Sequence, residues 1–375
     1  MRILMLVLNY SPLGGLEIFG RNLSHALARL GHNVEVWIVL EDLPDTRTES
    51  LSVRYLAPQG RQAKRIYYRI MRHLLAMRLA CKAEGFDLII AAHPVLAPSL
   101  YWASRVRPGV RYWVCTYGSD VWGEWSTFLR LALKHARRIL TINTYVQEVI
   151  KGRLPFALVE IIYPSVSDDF LNNDANGKEQ GSVPVLLTVS RLSHKDAYKG
   201  HDMVIRALPL IQQRLGEKVL YRMVGEGNGL ENLRRLADEY DVSTSVEFAG
   251  RLEKRSLLAA YRNCDIFIMP SRMGTRTDGL ITGEGFGIVY IEAAAAGKPV
   301  IGSNQGGAPE AFRDGSTGIA VNPFSVPEIV DAVCTLLEDP DMRLQMGRAG
   351  KRLVKDNFSM KAFDSQLAAL LDKEE

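Results

Sequence analysis

The chain opens on Arg2-Ile-Leu-Met-Leu-Val-Leu8, an unbroken apolar run of strand length. A strand covered on both faces has no reason to alternate, so the run predicts a central parallel strand. A turn with Pro12, Gly14 and Gly15 follows. Ile18, Leu23, Leu27 and Leu30 then recur at helical spacing, and Gly31 supplies the stop, which predicts a helix over 16–30. Residues 34–40 read as the next strand, completing a β-α-β unit. Short apolar runs at 86–92, 110–115 and 138–142, separated by helical stretches, continue the series. Such alternation predicts a parallel sheet with helices on both faces.

The pattern breaks at 171–182, which is polar and rich in Gly and Asn and reads as a linker. A second series follows. Strands are predicted at 185–190, 219–224, 246–249, 265–269 and 299–302, with helices at 202–215, 230–240, 254–262, 289–296 and 328–337. The expectation is an α/β chain of two Rossmann-like domains facing across a cleft. One spans 1–170 and the other 183–357. The remainder, 358–375, carries a helix expected to pack back on the first domain. No sequence repeat relates the halves.

Composition fits this picture and removes some classes. At 375 residues, 47% apolar and 23% charged, the chain is an ordinary globular sequence long enough for two domains. Its four cysteines are scattered and form no CxxC pair, so a zinc ribbon or redox dithiol is not expected. Each is read as a small core residue in a reducing, cytoplasmic setting. The apolar start is too short for a leader, and no run reaches the ~18 residues of a membrane span. Charge is uneven. Residues 1–170 carry 21 Lys/Arg against 14 Asp/Glu, and the remainder 25 against 28. The first domain is therefore expected to meet an anionic partner.

Candidate chemistry sits in the strand-to-helix turns, where open α/β sheets hold ligands. Gly14-Gly15 lets backbone approach a ligand, and amides at the helix start favour an anion; ordinary turn chemistry explains the pair equally well. No GxGxxG is present, which argues against a nicotinamide enzyme. Arg191 ends one strand and Lys199 opens the next helix, placed to hold a diphosphate, with Lys195 as a competitor. Gly225-Glu226-Gly227 is another Gly-rich turn, for ligand approach or simply for tightness. The richest stretch is Gly283-Glu-Gly-Phe-Gly-Ile-Val-Tyr-Ile-Glu292. Amides of Phe286, Gly287, Ile288 and Val289 would start a helix and could bind phosphate and sugar hydroxyls. Glu292 falls in an otherwise apolar helix, where a carboxylate is costly without a partner, and a carboxylate accepts two bonds from a diol.

These residues resemble the family 4 retaining glycosyltransferases of GT-B fold. The resemblance rests on the two glutamates eight apart, Gly306-Gly307-Ala308-Pro309-Glu310, Gly14-Gly15, Arg191 with Lys199, and Gly225-x-Gly227. It implies a donor-binding second domain and an acceptor-binding first domain. It implies that Glu292 takes the ribose hydroxyls, Glu284 the transferred sugar, and Arg191 and Lys199 the diphosphate. Gly15 would approach from the other domain, and backbone near Arg251 and Leu252 would read the base. One position departs: Tyr117 stands where the family carries histidine, and a phenol of pKa near 10 is a poor base. Front-face reaction tolerates that, because the leaving phosphate accepts the acceptor's proton.

The stretch from Met269 onward looks most like bacterial mannosyltransferases using GDP-mannose, with a UDP-sugar as the alternative donor. The expected acceptor is lipid-linked or a glycan. A catalytically inactive sugar-nucleotide-binding protein is the competing class, favoured by Tyr117. No obligatory metal is implied; Asp339-Pro340-Asp341 is read as a helix N-cap, and His194 and His201 lack partners at ligand spacing. Finally, Arg61, Arg65, Arg69 and Arg72 form a basic helical stripe beside Ile66, Ile70, Leu74 and Met77. That predicts peripheral association with an anionic membrane at its cytoplasmic inner face, and no nucleic-acid partner.

Overall fold

Ile3 to Val7 are buried throughout, because β1 (Arg2–Val7) lies inside a sheet with a parallel neighbour on each side. Ile3 sits opposite Val34 of β2 (Asn33–Ile38) and opposite Leu88 of β4 (Leu88–Ala91). β3 (Ser52–Tyr55), β5 (Tyr112–Thr116), β6 (Arg138–Thr141) and β7 (Val159–Ile161) complete seven parallel strands in the order β3-β2-β1-β4-β5-β6-β7. This computed structural model describes residues 1–11, 14–39, 51–56, 75, 77–79, 81, 85–172, 182–276 and 279–374. It divides into two units, Met1–Ser165 with Phe363–Glu375, and Val166–Ala362.

In the first unit the helix Gly15–Arg29 buries Phe19, Leu23, Ala26 and Leu27, the stripe that its sequence spacing predicts. Each such side chain contributes about 1.5–3 kcal/mol on burial. Gly31, at a φ of 85°, takes the left-handed conformation that ends it. The final helix, Met360–Leu371, contributes its last residues to this unit. Phe363 meets Phe19 edge-on at 5.6 Å, and Arg29 grips the Asp364 carboxylate through two bonds of 2.8 and 2.6 Å. Arg138, buried at the start of β6, donates to the Lys373 carbonyl at 3.1 Å.

Two sequence expectations change here. Cys115, Cys264 and Cys334 are buried, but Cys81 is exposed. Leu75 and Leu79, four apart, are the buried positions among the described residues of that stretch. Cys81 lies two residues past Leu79, about 200° further round. For the same reason Met77, expected on the apolar stripe, points to solvent at 67% exposure. The basic residues Arg61, Arg65, Arg69 and Arg72, with Ile66, Ile70 and Leu74, lie outside the described residues, as does most of the linker expected at 171–182.

The second unit is a six-stranded parallel sheet. Its order is β10 (Val246–Phe248), β9 (Leu220–Val224), β8 (Val185–Val189), β11 (Ile266–Met269), β14 (Val300–Ser303), β15 (Gly318–Val321). A two-stranded hairpin, β12 (Gly274–Thr275) and β13 (Ile281–Thr282), is inserted after β11. Asp339 caps the helix Pro340–Asn357, its side chain accepting from the Met342 amide at 2.8 Å. Each sheet has one point where strand order reverses, β1/β4 in the first and β8/β11 in the second. A crevice for ligands is expected beyond the strand ends there. Among the described residues no helix is long and apolar enough to cross a membrane.

Candidate active site

The turn after β8 carries Arg191 and runs through a 3-10 segment, His194–Lys199, into the helix His201–Leu215. Gly200, at a φ of 81°, makes that entry, and a Cβ on it would overlap the Pro270 carbonyl. Lys199 is thereby pressed against the turn after β11. Its ammonium pairs with the Glu284 carboxylate, both side chains only 12–13% exposed. Burial works against the Lys199 charge. Glu284 and the Tyr198 hydroxyl more than offset it and hold the lysine above its ordinary range. An ammonium has three protons, so one bond to Glu284 leaves others for a ligand anion. Lys195, the competitor, is exposed and four residues away from this pair.

Arg191 reaches outward, with 79% of its side chain exposed, and is tethered at 2.8 Å by the buried Asp196. Arg272 braces the other side. It donates to Asp202 at 2.7 Å and to the Ala197 carbonyl at 2.9 Å, tying the turn after β11 to the Lys199 turn. Beneath both cations lies a buried polar chain. His201 bridges Ser190 Oγ at 2.8 Å and the Tyr221 hydroxyl at 3.1 Å, and Tyr221 meets Thr188 at 3.0 Å. Burial, with Lys199 nearby, lowers the His201 pKa to about 4 and keeps the ring neutral. His201 therefore has hydrogen-bond partners, all of them structural.

Glu284 is held by its own backbone, which accepts from the Gly307 amide at 3.0 Å. Gly287, at a φ of 85°, starts the helix Ile288–Ala295, and a side chain there would collide with Tyr290. Phe286 is buried against Phe358 at 5.5 Å, so its ring is core and offers a ligand no side-chain contact. Ile288 and Val289 are half-buried at the helix start. Glu292 accepts a 2.7 Å bond from the Tyr261 hydroxyl. Burial raises the Glu292 pKa, and the Tyr261 bond works against that rise. Tyr261 is fully buried, so it fixes one carboxylate oxygen in place.

The Gly225 turn has a purpose of its own. A Cβ at Gly225 or Gly227 would overlap backbone of Ser190 or Leu192. These glycines admit the chain's own 190–193 segment, and the Gly225 amide donates to Gly250 at 2.8 Å. That bond brings Arg251, exposed, and Leu252, half-buried, beside the same turn. Lys199 and Glu284 thus meet between the turns after β8 and β11, Arg191 lies in the first of those turns, and Glu292 lies within the helix that follows Glu284. Sequence reasoning missed Asp196, Arg272 and Tyr261, whose only signal was a polar residue type within or next to an apolar element, and it left His201 without the partners it has in Ser190 and Tyr221.

In the first unit, Gly14 (φ 94°) and Gly15 open the first helix. A Cβ on Gly14 would overlap the Glu17 carboxylate, so that helix start already faces an anion of its own. Tyr117 ends β5. Its hydroxyl donates to the Ala92 carbonyl at 2.7 Å, and its ring meets Phe19 at 5.4 Å and His93 at 6.4 Å. Burial, then Cys115, Asp120 and Glu17, keep its pKa well above 10. The phenol is neutral and its one proton is committed. Asp120 accepts from the amides of Tyr117 and Gly118 at 3.0 and 2.6 Å and so shapes the turn. His93, at the end of β4, stands at the order reversal and was not anticipated; burial lowers its pKa to about 4. Among the described residues no group of three or more His, Cys, Asp or Glu is arranged to hold a metal ion.

Comparison with known proteins matches two family models end to end. Residues 13–170 match Glycosyltransferase Family 4, and residues 169–353 match Glycosyl transferases group 1. A GDP-mannose-dependent alpha-(1-6)-phosphatidylinositol monomannoside mannosyltransferase of Mycolicibacterium smegmatis is 34% identical over 83% of this chain and 85% of its own. A Corynebacterium glutamicum enzyme, named for the monoacylated form of that acceptor, is 40% identical over 52% of this chain and 48% of its own. Among solved structures, sucrose-phosphate synthase of Thermosynechococcus elongatus superposes with a TM-score of 0.80. It is 20% identical and covers 99% of this chain and 98% of that one. HepE of Anabaena, solved with UDP, gives 0.76 at 20% identity with full coverage of both.

Proposed function

The chain belongs to the family 4 glycosyltransferases, and on that premise we propose that it transfers mannose from GDP-mannose to a lipid-linked mannoside. The observation that carries this reading is the buried Lys199–Glu284 ion pair between the turns after β8 and β11, with Arg191 in the first of those turns and Glu292 in the helix that the second opens. Arg191 and Lys199 meet the diphosphate, and Lys199 stays charged throughout the physiological range. Glu292, one oxygen fixed by Tyr261, accepts from the ribose diol. Glu284 accepts from the sugar while tethering Lys199. The acceptor oxygen bonds to the anomeric carbon on the face from which GDP departs, and the leaving phosphate takes the hydroxyl proton. Configuration is retained. No protein base is required, which suits a neutral Tyr117.

Support for mannose and for GDP comes from the two relatives named for that donor. The acceptor follows the same names, and a lipid acceptor entails a peripheral position on the inner face of the cytoplasmic membrane. The test is transfer of labelled mannose from GDP-mannose, against UDP-glucose, to extracted phosphatidylinositol mannosides. Preference for the UDP-sugar, or donor binding with neither transfer nor hydrolysis, overturns the reading.

Three variants probe the residues. Glu292→Gln should weaken GDP binding by about 10–100-fold in calorimetry, since bonds to a charged group contribute about 1.5–3 kcal/mol. Unchanged affinity removes Glu292 from the site. Tyr117→Phe should keep at least a third of wild-type transfer, because the hydroxyl serves Ala92 rather than a sugar. Tyr117→Ala should lose most of it, since the ring supports the turn made by Asp120. Full activity in the alanine variant would place Tyr117 away from the reaction.

A further inference from the structure

The helices Ala97–Val106 and Thr127–Lys134 lie side by side on one face of the first unit's sheet. They bury Leu100, Ala103, Ala132 and Leu133. The outer face of such a layer is normally polar. Here Trp102 (44% exposed), Val106 (70%) and Phe128 (48%) point outward, and the Trp102 and Phe128 rings touch at 5.9 Å. Arg105 lies over the adjoining Tyr101 ring at 5.3 Å, and Lys134 is exposed on the neighbouring helix. The stretch 97–137 holds six Arg or Lys against two carboxylates, a surplus equal to the net charge of +4 of the whole chain. One of those carboxylates, Asp120, is turned onto backbone amides.

We propose that this helical face is the surface by which the protein docks on an anionic lipid bilayer. It deepens the lipid-acceptor reading and rests on it only for its biological sense. An aromatic pair with a β-branched residue gives apolar area of the kind that enters the headgroup boundary, and tryptophan favours that boundary. The surrounding cations meet anionic headgroups, each contributing about 1 kcal/mol near the surface. A second copy of the chain is a poor occupant, because two faces of equal positive surplus repel. The face draws on residues 97–134, none of which belongs to the basic stripe that the sequence offers at 61–72.

Tryptophan emission reports the contact directly. Of the five tryptophans, Trp37, Trp113 and Trp122 are buried and Trp125 is half-buried, leaving Trp102 as the exposed one. Vesicles of brominated phosphatidylglycerol and phosphatidylcholine should quench wild-type emission, while brominated phosphatidylcholine alone should not. Trp102→Phe should still sediment with the anionic vesicles yet lose most of the quenching. Trp102→Ser with Phe128→Ser, and separately Arg105→Glu with Lys134→Glu, should each lower vesicle binding at least tenfold. GDP-induced thermal stabilisation, measured without vesicles, should be unchanged and shows that the variants fold. Quenching that survives Trp102→Phe, or vesicle binding unaltered in both double variants, overturns the proposal. So does sedimentation-detected dimerisation through this face. Loss of mannose transfer with vesicle binding intact would instead strike the activity reading and leave the docking face standing.

Discussion

Lys199→Ala should lower turnover of GDP-mannose by about 10²–10³-fold while leaving the fold intact, the scale seen when a group meeting developing negative charge is removed. The ammonium sits where departing diphosphate gains charge, and its burial beside Glu284 makes the interaction stronger than it would be in water. Removing it also leaves Glu284 buried without its partner, a destabilisation of about 3–5 kcal/mol for a fully buried pair. Lys199→Met combined with Glu284→Gln isolates the stability effect, although not the kinetic one, because Glu284 is itself placed on the sugar. That pair restores neutrality and packing but supplies no cation. It should unfold near the wild-type temperature and still turn over poorly. Arg191→Ala should act in the same direction with a smaller loss, since most of its side chain is in solvent. Steady-state rates at saturating donor read both. If Lys199→Ala keeps more than a tenth of wild-type turnover, the diphosphate is held elsewhere, and the exposed Lys195 becomes the next residue to test.

The elements legible in the sequence were those whose burial is uniform. β1, β8 and β11 are apolar on both faces, so their unbroken runs survive any ambiguity of period. The strands that left no trace lie at sheet edges or are very short. Ser-Val-Arg-Tyr of β3 alternates between exposed and half-buried and reads as a loop. β15 is four residues following a Gly-rich turn, and β7 is three. The inserted hairpin β12–β13 is two residues a side, too short for any periodicity.

Site residues divided along a similar line. Lys199, Glu284 and Glu292 stood out because each is charged at a strand end or in an apolar helix, where charge is costly without a reason. The residues that brace the site did not. Asp196, Asp202, Arg272 and Tyr261 look like ordinary surface or core types, and only folding brings Arg272 to Asp202 across 70 positions or Tyr261 to Glu292 across 31. The Gly225 turn illustrates the opposite error of emphasis. Glycine there signals close approach, but sequence cannot say to what, and the approaching group is the chain's own Ser190–Leu192 backbone.

His201 should make the second unit acid-sensitive in a window set by its own proton. Burial, helped by Lys199, holds its folded pKa at about 4, against 6.5 when the chain is unfolded. Above pH 6.5 neither state binds the proton and the stability contribution is whole. As pH falls below 6.5, the unfolded chain takes up a proton that the folded one refuses, and stability is lost until about pH 4. That gap corresponds to about 3 kcal/mol. His93 in the first unit acts in the same sense, its pKa also lowered to about 4. Asp120 acts in the opposite sense, because its carboxyl, raised to about 6 by burial, is protonated more readily in the folded state. The total pH profile therefore mixes signs, and the informative quantity is a difference. His201→Gln keeps hydrogen-bonding capacity toward Ser190 and Tyr221 and cannot titrate, while His93 and Asp120 are untouched. Opening free energies from amide exchange of the helix His201–Leu215 isolate the second unit. Wild type should lose about 3 kcal/mol more than His201→Gln between pH 6.5 and 4. Parallel curves for the two proteins would mean that His201 accepts its proton inside the fold and that the Ser190–His201–Tyr221 chain is not held neutral.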